Sequence, residues 1–244
     1  MASVWTIPQE RHAELMDDPA LPVGEHMHAL SALARINLVS LTARHLAAAV
    51  SRLLPEHPGR PVVIVDLACG GGDVTVSLAE ILGRRLGPHG VKVIGVDASG
   101  RAIDHCRRLA TRRRCPAAEF LVADVVADPC PPCDVAVSTL FLHHLDDRPA
   151  VAMLASMAAS ATCGGVISDL LRTRAGLALA LLGTALLSTS RVARIDGPVS
   201  VKAARTLDEY RRLLHVAGVD HATVKRTWPE RCLVEWATRP RGPA

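Results

Sequence analysis

The pattern of apolar and polar positions changes period several times along the chain. From residue 8 to 53 apolar side chains recur at helical spacing, broken at Asp17-Asp18-Pro19 and Leu21-Pro22. Past that break Leu30, Leu33, Ile36, Leu41 and Leu46 mark a helix face, and Pro55 to Pro61 forms a punctuated linker. Short apolar runs then alternate with helical segments. Val62–Leu67, Val91–Val96, Glu119–Ala123, Asp134–Thr139 and Gly165–Asp169 read as strands, with helices over 73–86, 101–113 and about 149–161 between them. Strands that are apolar without alternation are buried on both faces, and this rhythm predicts a doubly wound α/β sheet. The last third changes character. An apolar helix over 175–189 precedes an amphipathic one over 206–217, opened by a capping-box pattern at Thr206 and Glu209 and stopped by Gly218. Strands at 222–227 and 232–237 follow.

Composition narrows the picture. Aromatic residues are 2% of the 244 and hydrophobic residues 49%, so the core is built from Ala, Leu and Val. Stacking platforms for single-stranded nucleic acid cannot be assembled from so few rings. A net charge of +4, with its one dense run at Arg112-Arg113-Arg114, lacks the broad basic face of a nucleic-acid binder. Seven irregularly spaced cysteines argue against a disulfide framework and for a reducing, cytoplasmic setting. Cys130-Pro-Pro-Cys133 has no second pair for a zinc site and reads as a stiff loop with free thiols. His12, His26, His28 and His45 have no metal-ligand spacing, so no metal is expected. Met1–Glu10 has no signal-peptide pattern, and the apolar stretch 175–187 is too short to span a bilayer.

The chemistry concentrates after the first strand, in Asp66-Leu-Ala68-Cys69-Gly70-Gly-Gly72-Asp73. Glycines between a strand and a helix let the backbone turn tightly and let a ligand approach, and ligands bind at such strand ends. Thr75 stands where a dinucleotide fingerprint needs its third small residue, and no Lys-Ser/Thr follows to make a phosphate loop. The strand also ends in Asp66, poor company for pyrophosphate and good company for a sulfonium cofactor bearing an ammonium. Two more strands end in acids. Asp97 is suited to accept from ribose hydroxyls and Asp124 from an adenine amino group.

With these residues in place the chain resembles the class I S-adenosylmethionine-dependent methyltransferases, within the small-molecule branch that includes ubiquinone and menaquinone methylases. The resemblance covers about residues 60–237, with Ala68 in place of a common Gly. It implies a three-layer, Rossmann-like, seven-stranded, mostly parallel sheet with an antiparallel last strand, plus an N-terminal helical lid. Residues 1–58 would be that lid and 59–244 the methyltransferase domain, with an apolar helical insertion at about 173–200. It also implies S-adenosylmethionine as cofactor, leaving S-adenosylhomocysteine, held by Asp66, Ala68, Cys69, Gly70, Gly72, Asp97, Ala98, Asp124, Val125 and Thr139.

The acceptor side is less determined. O-methylation of a phenol gains from a base, and so does C-methylation of a quinol ring. His143 and His144, past the fourth strand, are candidates, with His144 preferred. Asp169 is another, expected to face the substrate crevice or else to pair with Arg172 or Arg174. The helix over 175–187 either packs as an ordinary buried helix, walls a pocket for an apolar aromatic acceptor, or makes a homodimer contact. A nicotinamide-dependent oxidoreductase and a non-catalytic cofactor-binding protein are the competing classes. Thr75 and Asp66 disfavour the first.

Overall fold

The computed structural model describes residues 6–56, 58–87 and 89–238. Residues 1–5 and one residue of the 55–61 linker therefore lie outside the described residues.

Seven strands form one sheet: β1 (Val62–Leu67), β2 (Val91–Asp97), β3 (Ala118–Val122), β4 (Cys133–Thr139), β5 (Ala161–Leu170), β6 (Thr223–Thr227) and β7 (Arg231–Ala237). Their order is β3-β2-β1-β4-β5-β7-β6, and every pairing is parallel except those of β7 with β5 and β6. The expected architecture is present, with the antiparallel strand inserted between β5 and β6. Strand order reverses at β1, which lies between β2 and β4. A crevice opens at the carboxyl ends of strands at such a reversal. Both faces of the central strands are buried: Ile64, Val65, Val93, Val135 and Val137 have no accessible surface.

The helices are α1 (Val23–Val39), α2 (Thr42–Leu53), α3 (Asp73–Leu86), α4 (Gly100–Arg112), α5 (Asp147–Ser160), α6 (Arg174–Leu187), α7 (Arg191–Ala203) and α8 (Leu207–Val216). The capping box at α8 forms as its sequence predicts, with Thr206 and Glu209 satisfying each other's backbone N–H. The region expected as an apolar helical insertion at about 173–200 divides into two helices, α6 and α7; Ser190 caps the start of α7, and Pro198 is accommodated within it.

The N-terminal region is less helical than its periodicity suggests. Residues 8–14 run without helix before a 3-10 turn at Leu15–Asp17. They are held instead by long-range bonds: Gln9 Nε2 donates to the carbonyls of Ala203 and Ala204, and Glu10 N–H donates to Lys202. Buried Asp196 of α7 accepts from the N–H groups of Leu15 and Met16 at 2.9 and 3.0 Å. α2, by contrast, is part of the main core. Leu46, Ala49 and Val50 are fully buried in the cluster that covers β1 and β5. Among the described residues no helix is long and apolar enough to cross a membrane.

Candidate active site

One cavity of about 940 Å³ lies at the carboxyl ends of β1, β2 and β4, roofed by α1, α6, α7 and the 3-10 turn. Its cofactor-side wall starts at the turn after β1. Ala68, Gly70 and Gly72 all have positive φ, at 58, 53 and 72°. A Cβ on Gly70 would project into open space, whereas one on Gly72 would meet Cys106 Sγ at 2.7 Å. Gly70 therefore leaves room for a ligand, and Gly72 permits close packing of the loop on α4. Gly72 does not line the cavity; its neighbour Gly71 does. Ala68, Cys69, Asp97, Ala98, Asp124, Val125 and Thr139 also line the cavity.

The three strand-end acids are held differently. Asp66 is 1% exposed; its Oδ2 accepts from the Thr75 hydroxyl at 2.6 Å, and its Oδ1 is buried with no partner. Burial pushes this carboxyl up to about 7, moderated by the Thr75 bond. Asp97 accepts from Gly70 N–H and Ser99 N–H, one on each oxygen at 2.9 Å, which fixes its plane and leaves lone pairs free. Asp124 Oδ1 accepts from Val126 and Ala127 N–H, so this acid also shapes its own turn. Sequence reasoning missed a further buried network beside them. Asn37 donates to Asp73 at 3.2 Å, and Arg231 donates to Thr42 and Asn37. These bonds tie α1 and β7 to the start of α3.

At the other end stand the histidines. His143 is 3% exposed and Asp169 fully buried. Asp169 Oδ1 meets His143 Nδ1 at 2.6 Å while Oδ2 accepts the His143 backbone N–H. Asp169 therefore does not face the crevice, and its partner is neither Arg172 nor Arg174. Arg172 pairs with Glu209 and donates to the carbonyls of Ala204 and Ile7. Burial lowers the His143 pKa, but the Asp169 carboxylate and Glu14, 3.7 Å from Nε2, outweigh it and raise it to about 9. His143 also lines the cavity, with its Nδ1 engaged by Asp169 and its Nε2 turned toward Glu14. His144 lines the cavity, with Nδ1 3.2 Å from Asp17 Oδ2 and Nε2 3.9 Å from Glu14.

Glu14 and Asp17 were not foreseen, because nothing local marks them. Glu14 Oε1 and the two histidine nitrogens lie within 4.8 Å of one another, close enough to suit a metal ion. Asp169 holds Nδ1 of His143, so Nε2 is the nitrogen left to such an ion. The seven cysteines are free, and Cys130 and Cys133 are buried at the base of β4, away from the cavity.

Residues 64–165 match the family described as methyltransferase domain, which begins inside β1 and ends inside β5. This segment is similar to a methyltransferase domain. No curated protein matches the sequence. Solved structures of methyltransferases match the fold of this chain. Magnesium protoporphyrin IX methyltransferase from Synechocystis PCC 6803 is 18% identical, with a TM-score of 0.56 over 82% of this chain and 83% of its own. Human N-acetylserotonin methyltransferase is also 18% identical, with a TM-score of 0.63 over 89% of this chain. The chain spans only 56% of that human enzyme. The plantazolicin methyltransferase BamL is 16% identical, with a TM-score of 0.60 over 89% of each chain. At these identities the likeness is one of fold.

Proposed function

We propose that the enzyme transfers the methyl group of S-adenosylmethionine to a phenolic oxygen of a small, apolar aromatic acceptor. The observation that carries this reading is the unpartnered, buried Oδ1 of Asp66. Asp66 lines the same cavity as Gly70, on which a Cβ would meet nothing, and as His144. A buried acceptor without a partner is costly, and a ligand ammonium would satisfy it. Asp97 would take the ribose hydroxyls, and Asp124 and Val125 the adenine edge. The cofactor supplies a methyl group made electrophilic by its sulfonium.

The chain's own residues do the rest. Asp17 Oδ2, 3.2 Å away, accepts a hydrogen bond from His144 Nδ1–H, which leaves Nε2 to take the proton of the acceptor hydroxyl. His143, clamped by Asp169, is a positioning residue that holds Glu14 and the turn after β4 in place. The apolar walls come from Leu33, Ile36, Leu179, Ala180 and Leu187, which exclude water and favour a greasy acceptor. Residues 6–39 together with α6 and α7 form the cover over the site, while α2 belongs to the main domain.

Turnover of a panel of phenols tests this reading, with product structures determined by NMR. Methylated oxygen with wild type, and a kcat loss of about 10²-fold or more in His144→Ala with S-adenosylhomocysteine affinity unchanged, is the expected result. Carbon-methylated product, or full activity in His144→Ala, would reject the assignment.

A further inference from the structure

Helix α6 has two apolar faces, and only one is covered. Gly176, Ala180, Gly183 and Leu187 line the cavity, whereas Leu181, Leu182 and Leu186 are 51, 59 and 81% exposed. No residue from 175 to 187 carries a charge. The exposed ground continues at the mouth of the cavity, where Val39 of α1 and Trp228 before β7 both line the cavity and stand largely in solvent. A monomer rarely leaves a continuous apolar patch of this kind without a use for it.

The charges around the patch choose its occupant. From 170 to 195 the chain carries four arginines and no carboxylate. Arg172 is buried against Glu209, and the other three are exposed. Arg174 opens α6, and Arg191 follows its end. Arg35 and Arg194 donate to the carbonyls of Leu187 and Ser188, so two more guanidinium groups stand at the helix C-terminus. A two-fold contact between copies through α6 would bring these cations together, and the helix itself carries no carboxylate to answer them. A negatively charged surface with an apolar interior answers both features together.

We infer that α6 seats the protein on an anionic lipid bilayer, with Leu181, Leu182 and Leu186 in the interface and the flanking arginines among the headgroups. Trp228 suits the same boundary, since its ring has an apolar body and a polar N–H. Because α6 also walls the cavity, the mouth then opens at the membrane, and a lipid-tailed acceptor reaches His144 without crossing water. This last step rests on the methyl-transfer reading; the docking does not.

Vesicle co-sedimentation of the full chain tests the docking. The probes are vesicles of phosphatidylcholine alone and of phosphatidylcholine with roughly a third phosphatidylglycerol. The expected result is binding about 10-fold or more stronger to the anionic vesicles, weakened by high salt. Leu182→Glu/Leu186→Glu should reduce it by about 10-fold or more while keeping the wild-type far-UV spectrum and melting temperature. Neither residue lines the cavity, so turnover of a water-soluble phenol should persist in this variant. Equal binding to both vesicles, no binding, or full binding by the double variant overturns the inference. So does a wild-type dimer that the double variant dissolves without any vesicle binding, which would assign the face to a second copy. If wild type binds vesicles but methylates no phenol, the docking stands and the proposed activity fails.

Discussion

The Thr75 hydroxyl donates a 2.6 Å hydrogen bond to Asp66 Oδ2, and both residues are closed to solvent. Thr75 is the residue that breaks a dinucleotide fingerprint, and its role explains why. It orients the first strand's acid so that the other oxygen remains available to a ligand. The pair trades stability for binding. With its pKa raised to about 7, well above the ordinary 3.9, Asp66 costs the empty fold nothing at low pH and penalises it as pH rises from about 4 to about 7.

Asp66→Asn should therefore raise the melting temperature of the empty protein at pH 8 while weakening S-adenosylmethionine binding by about 10-fold or more. In wild type the affinity should rise with pH from 6 to 8, as the carboxyl ionises, and in the variant that rise should shrink. Thermal melts and calorimetry at three pH values check both signs. A destabilised variant with wild-type affinity would contradict the role given to Oδ1.

His143 makes the opposite pH prediction. Its folded value of about 9 lies above the ordinary imidazole value, so the protonated form favours folding. That stabilisation is complete below about 6.5 and is lost as pH rises through about 9. Asp169, held low by the same pair, stays ionised across this window. The melting temperature should fall from pH 7 to 9 in wild type. The double variant His143→Gln/Asp169→Asn, which keeps a hydrogen-bonding pair without charges, should lose most of that slope.

Ala68 holds φ at 58°, where a side chain is strained and glycine is not. Ala68→Gly should stabilise the protein by about 0.5–1 kcal/mol after the added chain entropy of glycine. A chain of this size should then melt about 1–4 °C higher in differential scanning calorimetry. A lower melting temperature would show that the Ala68 methyl group packs more favourably than the turn strains.

What the sequence made legible follows from the range of each interaction. Asp66, Asp97 and Asp124 could be read because each sits at the end of its own strand, where local pattern and chemistry coincide. Ala68 and Thr75 carried information for the same reason. Glu14, Asn37 and Arg231 could not be read, because each reaches the site from a distant part of the chain. Residues 8–14 carry helical periodicity, yet distant carbonyls at Lys202, Ala203 and Ala204 hold them out of a helix. Asp169 ended a strand like the other acids, and only the contact with His143 shows that it serves the protein interior.

The measurement that bears most directly on the account is a calorimetric titration of wild type and Asp97→Ala with S-adenosylhomocysteine, and of wild type with NAD. The account predicts one S-adenosylhomocysteine site per chain, weakened about 10-fold or more by Asp97→Ala, and no NAD binding. NAD binding without S-adenosylhomocysteine binding, or an affinity unchanged by Asp97→Ala, would contradict it.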